Sequence, residues 1–298
     1  MKFNKKIVIG TWPLSGDYGY FPAQRVSSIL EYAFLKKFNE FDTAPSYGNG
    51  FMEFMIGNIF NGEKKILVNT KFGNLPFEGK SFKIDDLKKS LDQSLKRLRL
   101  EKINILFLHN PRIGIDNYKE IIKLMNSLKK NKIIRFSGIS LAKNSIYEEK
   151  ILKQFDIVQD DANLLSVTFR KYKNFKIYGR SPYANGILTG SLMRKFSHDD
   201  HRSEWLNDRG RKKIINKSLI KLKNLSDINL KELAFFFVNS NKHISKNIFG
   251  IRSKKHIDDI NMMLVKKIPK NIFQLSEKIY DLNHNMFNID KKNIKYLF

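Results

Sequence analysis

The chain has 298 residues, of which 42% are hydrophobic and 24 are Phe, enough apolar mass for one large core. Lys and Arg total 55 against 29 acidic residues, a formal charge of +26, and there is no Cys. The absent thiols exclude disulfides, thiolate metal sites and a cysteine nucleophile.

A charge of this size suits nucleic acid or an anionic membrane. Only 12 of the 55 cations are Arg, however, and the lysines are spread along a chain rich in Lys, Ile and Asn, with no block of five or more like charges. That mixture reads as drift from AT-rich coding, so no nucleic acid and no membrane partner is expected. The excess charge still favours anionic ligands. Lys2, Lys5 and Lys6 precede Ile7-Val8-Ile9, a run shorter than the ~7–15 apolar residues of a secretion signal. No run approaches the ~18 apolar residues of a membrane span. A cytoplasmic protein is expected.

In chain order, Ile7 to Trp12 reads as a strand, and Ala23 to Lys37 as a helix with Val26, Ile29, Leu30, Ala33 and Phe34 on one stripe. Strand Phe41 to Ala44 precedes helix Phe51 to Phe60, and strand Ile66 to Lys71 precedes helix Ile84 to Leu98. Strands Ile105 to His109 and Ile133 to Ser140 precede helices Tyr118 to Lys130 and Ser145 to Lys153. Strand Phe155 to Gln159 leads into a less regular stretch ending at Tyr172. Strand Phe175 to Ser181 is followed by a long polar segment, Gly190 to Asp227, and by helix Leu230 to Asn239. Strand Ser245 to Ile251 and helix His256 to Val265 close the series. Such alternation implies parallel strands joined by right-handed crossovers. Eight units in this length predict a (β/α)8 TIM barrel. It forms one α/β domain over 1–298, with a loop insertion at 191–227 and a C-terminal tail at 266–298.

In barrels of this kind the chemistry collects at the C-terminal ends of the strands. The second strand ends in Asp42, with Tyr47 in its loop; the third ends in Lys71 and the fourth in His109. Singly, Asp42 can cap a turn, Tyr47 can pack in a loop, Lys71 can be a surface lysine and His109 a satisfied core histidine. On three consecutive strand ends they converge instead. A lysine closing the apolar run Ile66-Leu67-Val68 points inward and needs a counter-ion, which Asp42 supplies.

Three segments, Phe41-Asp42-Thr43-Ala44-Pro45-Ser46-Tyr47-Gly48, Asn69-Thr70-Lys71-Phe72-Gly73 and Leu106-Phe107-Leu108-His109-Asn110-Pro111, resemble the tetrad motifs of aldo-keto reductases. Gly10-Thr11-Trp12 resembles that family's first-strand cofactor contact, Ser181-Pro182 with Gly186 to Gly190 its strand-7 loop, and Gly250-Ile251-Arg252-Ser253 its phosphate loop. The resemblance implies an NAD(P)H-dependent reductase of an aldehyde or ketone, sugars and their derivatives included. Tyr47 is the general acid, Lys71 lowers its pKa, Asp42 holds Lys71, and His109 orients the carbonyl. It also implies cofactor contacts from Thr11, Trp12, Ser140, Gln159, Arg180, Ser181, Gly250, Arg252, Ser253 and His256. NADPH is favoured through Arg252 and Ser253, with NADH also compatible. The partner is then a small-molecule carbonyl substrate, and the oligomeric state stays open.

Three departures from the family pattern stand out. Leu141 follows Ser140 where the family has Asn, Arg180 replaces an aromatic ring that stacks on nicotinamide, and Ile260 replaces an Asn near the adenine. The alternative function on the same fold is a cofactor-binding regulatory or scaffold protein without significant turnover. Gly73 to Ser81 imitates a phosphate-binding loop, but has one residue too many between its glycines for Gly-x-x-x-x-Gly-Lys-Ser/Thr, and Pro76 lacks an N–H. His198, Asp199, Asp200 and His201 imitate a metal cluster with no ligand from another element, so no metal is expected. The polar segment is expected to cover the pocket with Arg202, Trp205, Arg209 and Arg211, or to be a static excursion with a short helix from Asn216 to Lys223.

Overall fold

The computed structural model describes residues 3–111, 117–142 and 147–288. Eight strands close a barrel: β1 (Ile7–Gly10), β2 (Glu40–Asp42), β3 (Leu67–Phe72), β6 (Ile103–His109), β7 (Ile134–Ser140), β8 (Ile157–Asp161), β9 (Ile177–Arg180) and β10 (Ile244–Gly250). All neighbours are parallel, and β1 pairs with β10 to close the ring. The helices between them are α1 (Ala23–Leu35), α2 (Phe51–Ile59), α3 (Ile84–Leu98), α4 (Tyr118–Lys130), α5 (Glu149–Leu152), α8 (Leu230–Asn239) and α9 (Lys254–Val265). Both α3 and α4 occupy the spans their periodicity predicts. α3 carries Asp85 and Asp86 in its first turn and Lys96 and Arg97 in its last, matching the helix dipole. After β8 the irregular stretch is a 3-10 turn, Thr168–Tyr172, in place of a full helix.

The barrel interior is filled by Val8, Ile105, Phe107, Ile157, Tyr178 and Ile248. Gly138 makes room for the Phe107 ring, since a Cβ there would lie 2.3 Å from Phe107 Cδ1. A second, larger apolar layer joins strands to helices. Its anchors include Phe41, Phe235, Phe236 and Phe249, all essentially without exposure.

Three segments differ from the sequence reading. Most of the supposed loop is helical: α6 (Ser203–Leu206) and α7 (Arg209–Lys223). Ile215, Leu219 and Leu222 of α7 are buried on one face, and the lysines between them had hidden that stripe. Asp208 caps the helix, accepting from the Arg211 N–H at 2.6 Å. Second, the stretch Gly73 to Ser81, to which the sequence reading gave no strand, contains a hairpin, β4 (Asn74–Leu75) against β5 (Gly79–Lys80). Third, the tail carries α10 (Ile272–Asn288), whose Ile272, Leu275 and Ile279 are buried and whose Asn283 donates to the Leu164 carbonyl at 2.9 Å. Ser145 of the predicted fifth helix and the terminal Tyr296-Leu297-Phe298 lie outside the described residues.

Candidate active site

Strand register places the chemistry on one rim. Gly10 aligns with Asp42, Asp42 with Asn69, Lys71 with Phe107, His109 with Ser140, Ser140 with Gln159, and Asp161 with Arg180. A cavity of about 650 Å³ opens there. Of the site residues expected from sequence, all but Ser253 line it.

Lys71 is 1% exposed, and its ammonium donates to Asp42 Oδ1 at 2.6 Å, to the Thr43 carbonyl at 2.7 Å and to the Tyr47 hydroxyl at 3.1 Å. An ammonium has three hydrogens, so each is committed. The Tyr47 oxygen accepts one of them, which turns the phenol's own hydrogen away from Lys71. The His109 ring stands 6.3 Å from the Tyr47 ring, nearly perpendicular to it.

Burial sets the electrostatics. It would push Lys71 down, but the charge of Asp42, and then Tyr47, outweigh it and hold Lys71 above the usual lysine value. Burial also raises Tyr47, and Lys71 only partly offsets this, so the phenol lies above its ordinary value. This reverses the net lowering expected from the sequence: desolvation outweighs the neighbouring cation. His109 falls well below the ordinary histidine value, through burial first and then the charges of Lys71, Arg180 and Lys80. Its imidazole is therefore neutral near pH 7, with one N–H to donate.

The residues expected to hold a carboxamide are tied into a chain. Gln159 Nε2 donates to Asp42 Oδ2 at 2.9 Å, and Ser140 Oγ donates to Gln159 Oε1 at 2.8 Å. Arg180 donates to Ser140 Oγ, to the Leu141 carbonyl and to Asp161 Oδ1 at 2.7–2.8 Å. Arg180 is thus pinned by its edge, which fixes the plane of its guanidinium. Thr11 gives its hydroxyl to the Asp42 carbonyl at 2.9 Å and so steadies that strand end. Ser181 leaves β9 with a positive φ of 55°, and Ala184 and Asn185 follow at 47° and 55°, a left-handed run unusual for non-glycine residues. Ser253 does not reach the cavity: its hydroxyl caps α9, accepting from the His256 N–H at 3.2 Å. Ile260 is buried in the core. Arg252 lines the cavity beside this helix start, with its guanidinium 5.0 Å from the Phe21 ring and donating to the Tyr18 carbonyl. A cation at a helix N-terminus suits a phosphate, so these residues fit the anionic half of a nicotinamide dinucleotide.

A model of the Aldo/keto reductase family matches residues 6–281. The chain belongs to the aldo-keto reductases. Members are NAD(P)H-dependent oxidoreductases, and this chain is one of them. L-galactose dehydrogenase of Arabidopsis thaliana is 26% identical over 268 residues, covering 84% of this chain and 81% of the relative. The uncharacterized oxidoreductase YqkF of Bacillus subtilis is 28% identical over 193 residues, covering 60% of this chain and 62% of that one. Among solved structures, aldo-keto reductase AKR11C1 of Bacillus halodurans in its holo form superposes with a TM-score of 0.72 at 21% identity, covering 93% of this chain and 91% of that one. An aldo-keto reductase of Klebsiella pneumoniae in complex with NADP and acetate gives a TM-score of 0.67 at 18% identity, with 92% and 91% covered.

This aldo-keto reductase builds its mouth around Trp12 and Arg202, with Asp17 and Tyr18 beside them, two residues that the sequence reading did not assign. Trp12 stacks between the rings of Tyr47, 5.9 Å away, and His201, 4.5 Å away. Asp17 accepts from Trp12 Nε1 at 2.7 Å and from Ser15 Oγ at 2.8 Å, and lines the cavity. Tyr18 bridges to Asp200, and its hydroxyl donates to Asn185 Oδ1 at 3.1 Å. Arg202 pairs with Asp200 at 2.6 Å and lies 4.7 Å from the Tyr18 ring. Among His198 to His201, Asp200 is thus in an ion pair and His201 in an aromatic stack. Of the four residues expected over the pocket, Arg202 is there; Trp205 packs on the core, and Arg209 and Arg211 open α7 away from the cavity. No local signal marks the contacts of Trp12 and Tyr18 with Asn185, Asp200, His201 and Arg202, because they join the loop after β1 to residues some 170 to 190 positions away.

Proposed function

We propose that the chain reduces an aldehyde or ketone, with Tyr47 as the proton donor. The observation that carries this reading is the saturated ammonium of Lys71, which leaves the Tyr47 hydrogen directed away from it at the edge of the cavity. A bound reduced nicotinamide supplies the hydride. As charge builds on the carbonyl oxygen, Tyr47 gives up its proton and neutral His109 donates a hydrogen bond to the same oxygen. Lys71 stabilises the phenolate left behind, and Asp42 keeps Lys71 charged and in place. Donors within about 3 Å of one oxygen supply both proton and field.

NADPH is the preferred cofactor in this proposal, because Arg252 adds a cation beside the α9 N-terminus. Hydroxylated carbonyls, sugars among them, suit the mouth: Asp17, Asn74 and Asn110 line it with polar groups, and the plant relative is named an L-galactose dehydrogenase. Steady-state assays with NADPH and NADH across aldehydes, ketones and sugars, run in both directions, test the reading. Turnover that requires the nicotinamide is the expected result. Cofactor binding without turnover on any carbonyl would overturn it in favour of a scaffold.

A further inference from the structure

Arg180 stands where an aromatic ring was expected, and its surroundings give it a different task. It sits at the end of β9, in register with Asp161 on β8. Its guanidinium has only donors, and three of them go to three acceptors, Asp161 Oδ1 on the adjacent β8 and Ser140 Oγ and the Leu141 carbonyl at the end of β7, the next strand over. The Ser140 oxygen, having accepted from Arg180, turns its own hydrogen to Gln159 Oε1. That sets the Gln159 amide, so its nitrogen faces Asp42 Oδ2. Asp42 in turn holds Lys71, and Lys71 holds the Tyr47 oxygen. The directions of the bonds from Arg180 through Ser140 and Gln159 to Asp42 follow from having a donor-only group at the start, and Lys71, also donor-only, sets the last two.

We propose that Arg180, clamped by Asp161, is a positioning residue for the reaction: it fixes the Ser140–Gln159–Asp42 chain and through it the placement of Lys71 against Tyr47. The same guanidinium adds a second cation to the rim. Tyr47 faces Lys71, Asp42, Arg180 and Tyr18, with the His109 ring beside it. Arg180 faces Asp161, Asp160 and Tyr47. Asp160 is pushed up to about 6, chiefly by burial and then by Asp161, which leaves Asp161 as the clamp. The charge of Arg180 draws the Tyr47 pKa down against burial, so removing it shifts Tyr47 upward. In the reductive direction, activity that is lost as Tyr47 deprotonates then persists to higher pH.

The proposal rests on Tyr47 as proton donor, and three variants separate the two ideas. For Arg180→Gln we expect kcat to fall about ten- to a hundredfold through misplaced reacting groups, and the basic limb of the pH profile to move to higher pH. For Arg180→Lys, which keeps charge without the planar fork, the limb returns toward its original position while kcat stays low. Asp161→Asn loosens the clamp and lowers kcat with the charge of Arg180 retained. Ultraviolet difference titration of the cofactor-free protein, with Tyr47→Phe as reference, reads the same upward shift without turnover. A purely structural role would lower the active fraction and leave the pH limb and the tyrosine titration unmoved; that result overturns the proposal. Should Arg180→Gln fail to fold, Asp161→Asn with kcat within twofold of the parent overturns it as well. A parent enzyme that turns over nothing overturns the function instead.

Discussion

Tyr47 is the residue on which the proposed chemistry turns. Replacing it with Phe removes only the hydroxyl and keeps the ring stacked on Trp12. Tyr47→Phe is expected to bind cofactor within a few-fold of the parent by fluorescence titration and to lose most turnover; near-normal turnover would remove the tetrad assignment. Arg252 is the residue on which cofactor choice turns. Losing one charge-assisted phosphate contact costs roughly 1.5–3 kcal/mol, so Arg252→Ala should weaken NADPH by that amount and NADH far less. Equal weakening of both would assign Arg252 to the mouth alone, where it bonds the Tyr18 carbonyl.

Among the elements, the segment after β9 divides in two. Residues 191–206 hold the mouth through polar and ring contacts: Asp200 bridging Tyr18, His201 donating its N–H to the Asp17 carbonyl at 2.8 Å, and Arg202 donating to the Asn185 carbonyl at 3.2 Å. Gly186 and Gly190, both with φ above +90°, flank its base and permit a hinge. α7 is anchored differently, by buried Ile215, Leu219 and Leu222. Hydrogen exchange should follow this division, because local opening tracks the number of buried apolar contacts. Amides of residues 196–206 are expected to gain protection when NADPH is added, while α7 stays protected throughout. Unchanged protection of 196–206 with and without ligand would make the segment a static wall.

For the molecule as a whole, three histidines couple stability to pH. His109, which is buried, and His201 and His256, which are more open to solvent, all lie below the ordinary value of 6.5, with desolvation the first cause in each. Below that value the unfolded chain takes up protons that these imidazoles refuse in the folded state, so stability falls with pH. Asp160, raised to about 6, and Glu53, also raised by burial, act in the opposite sense at lower pH. The loss is therefore clearest between about 6.5 and 6. Denaturant unfolding should give a lower midpoint at pH 6 than at about pH 7.5, and His109→Asn should flatten the difference. A flat midpoint across that interval would contradict the desolvation of His109, the buried one of the three.

What the sequence by itself determined was the alternation of elements and the rim they share. Apolar period fixes strand or helix locally, and strand ends in a parallel barrel must face one way, so Asp42, Lys71 and His109 were bound to meet there once eight units closed. The tertiary structure alone decided how those groups are engaged. That Ser253 caps a helix, that Trp12 lies between Tyr47 and His201, and that Arg180 is clamped by Asp161 all depend on contacts between distant segments. The pKa of Tyr47 likewise follows from how far burial outweighs Lys71, a balance of desolvation and charge that has no counterpart in residue order.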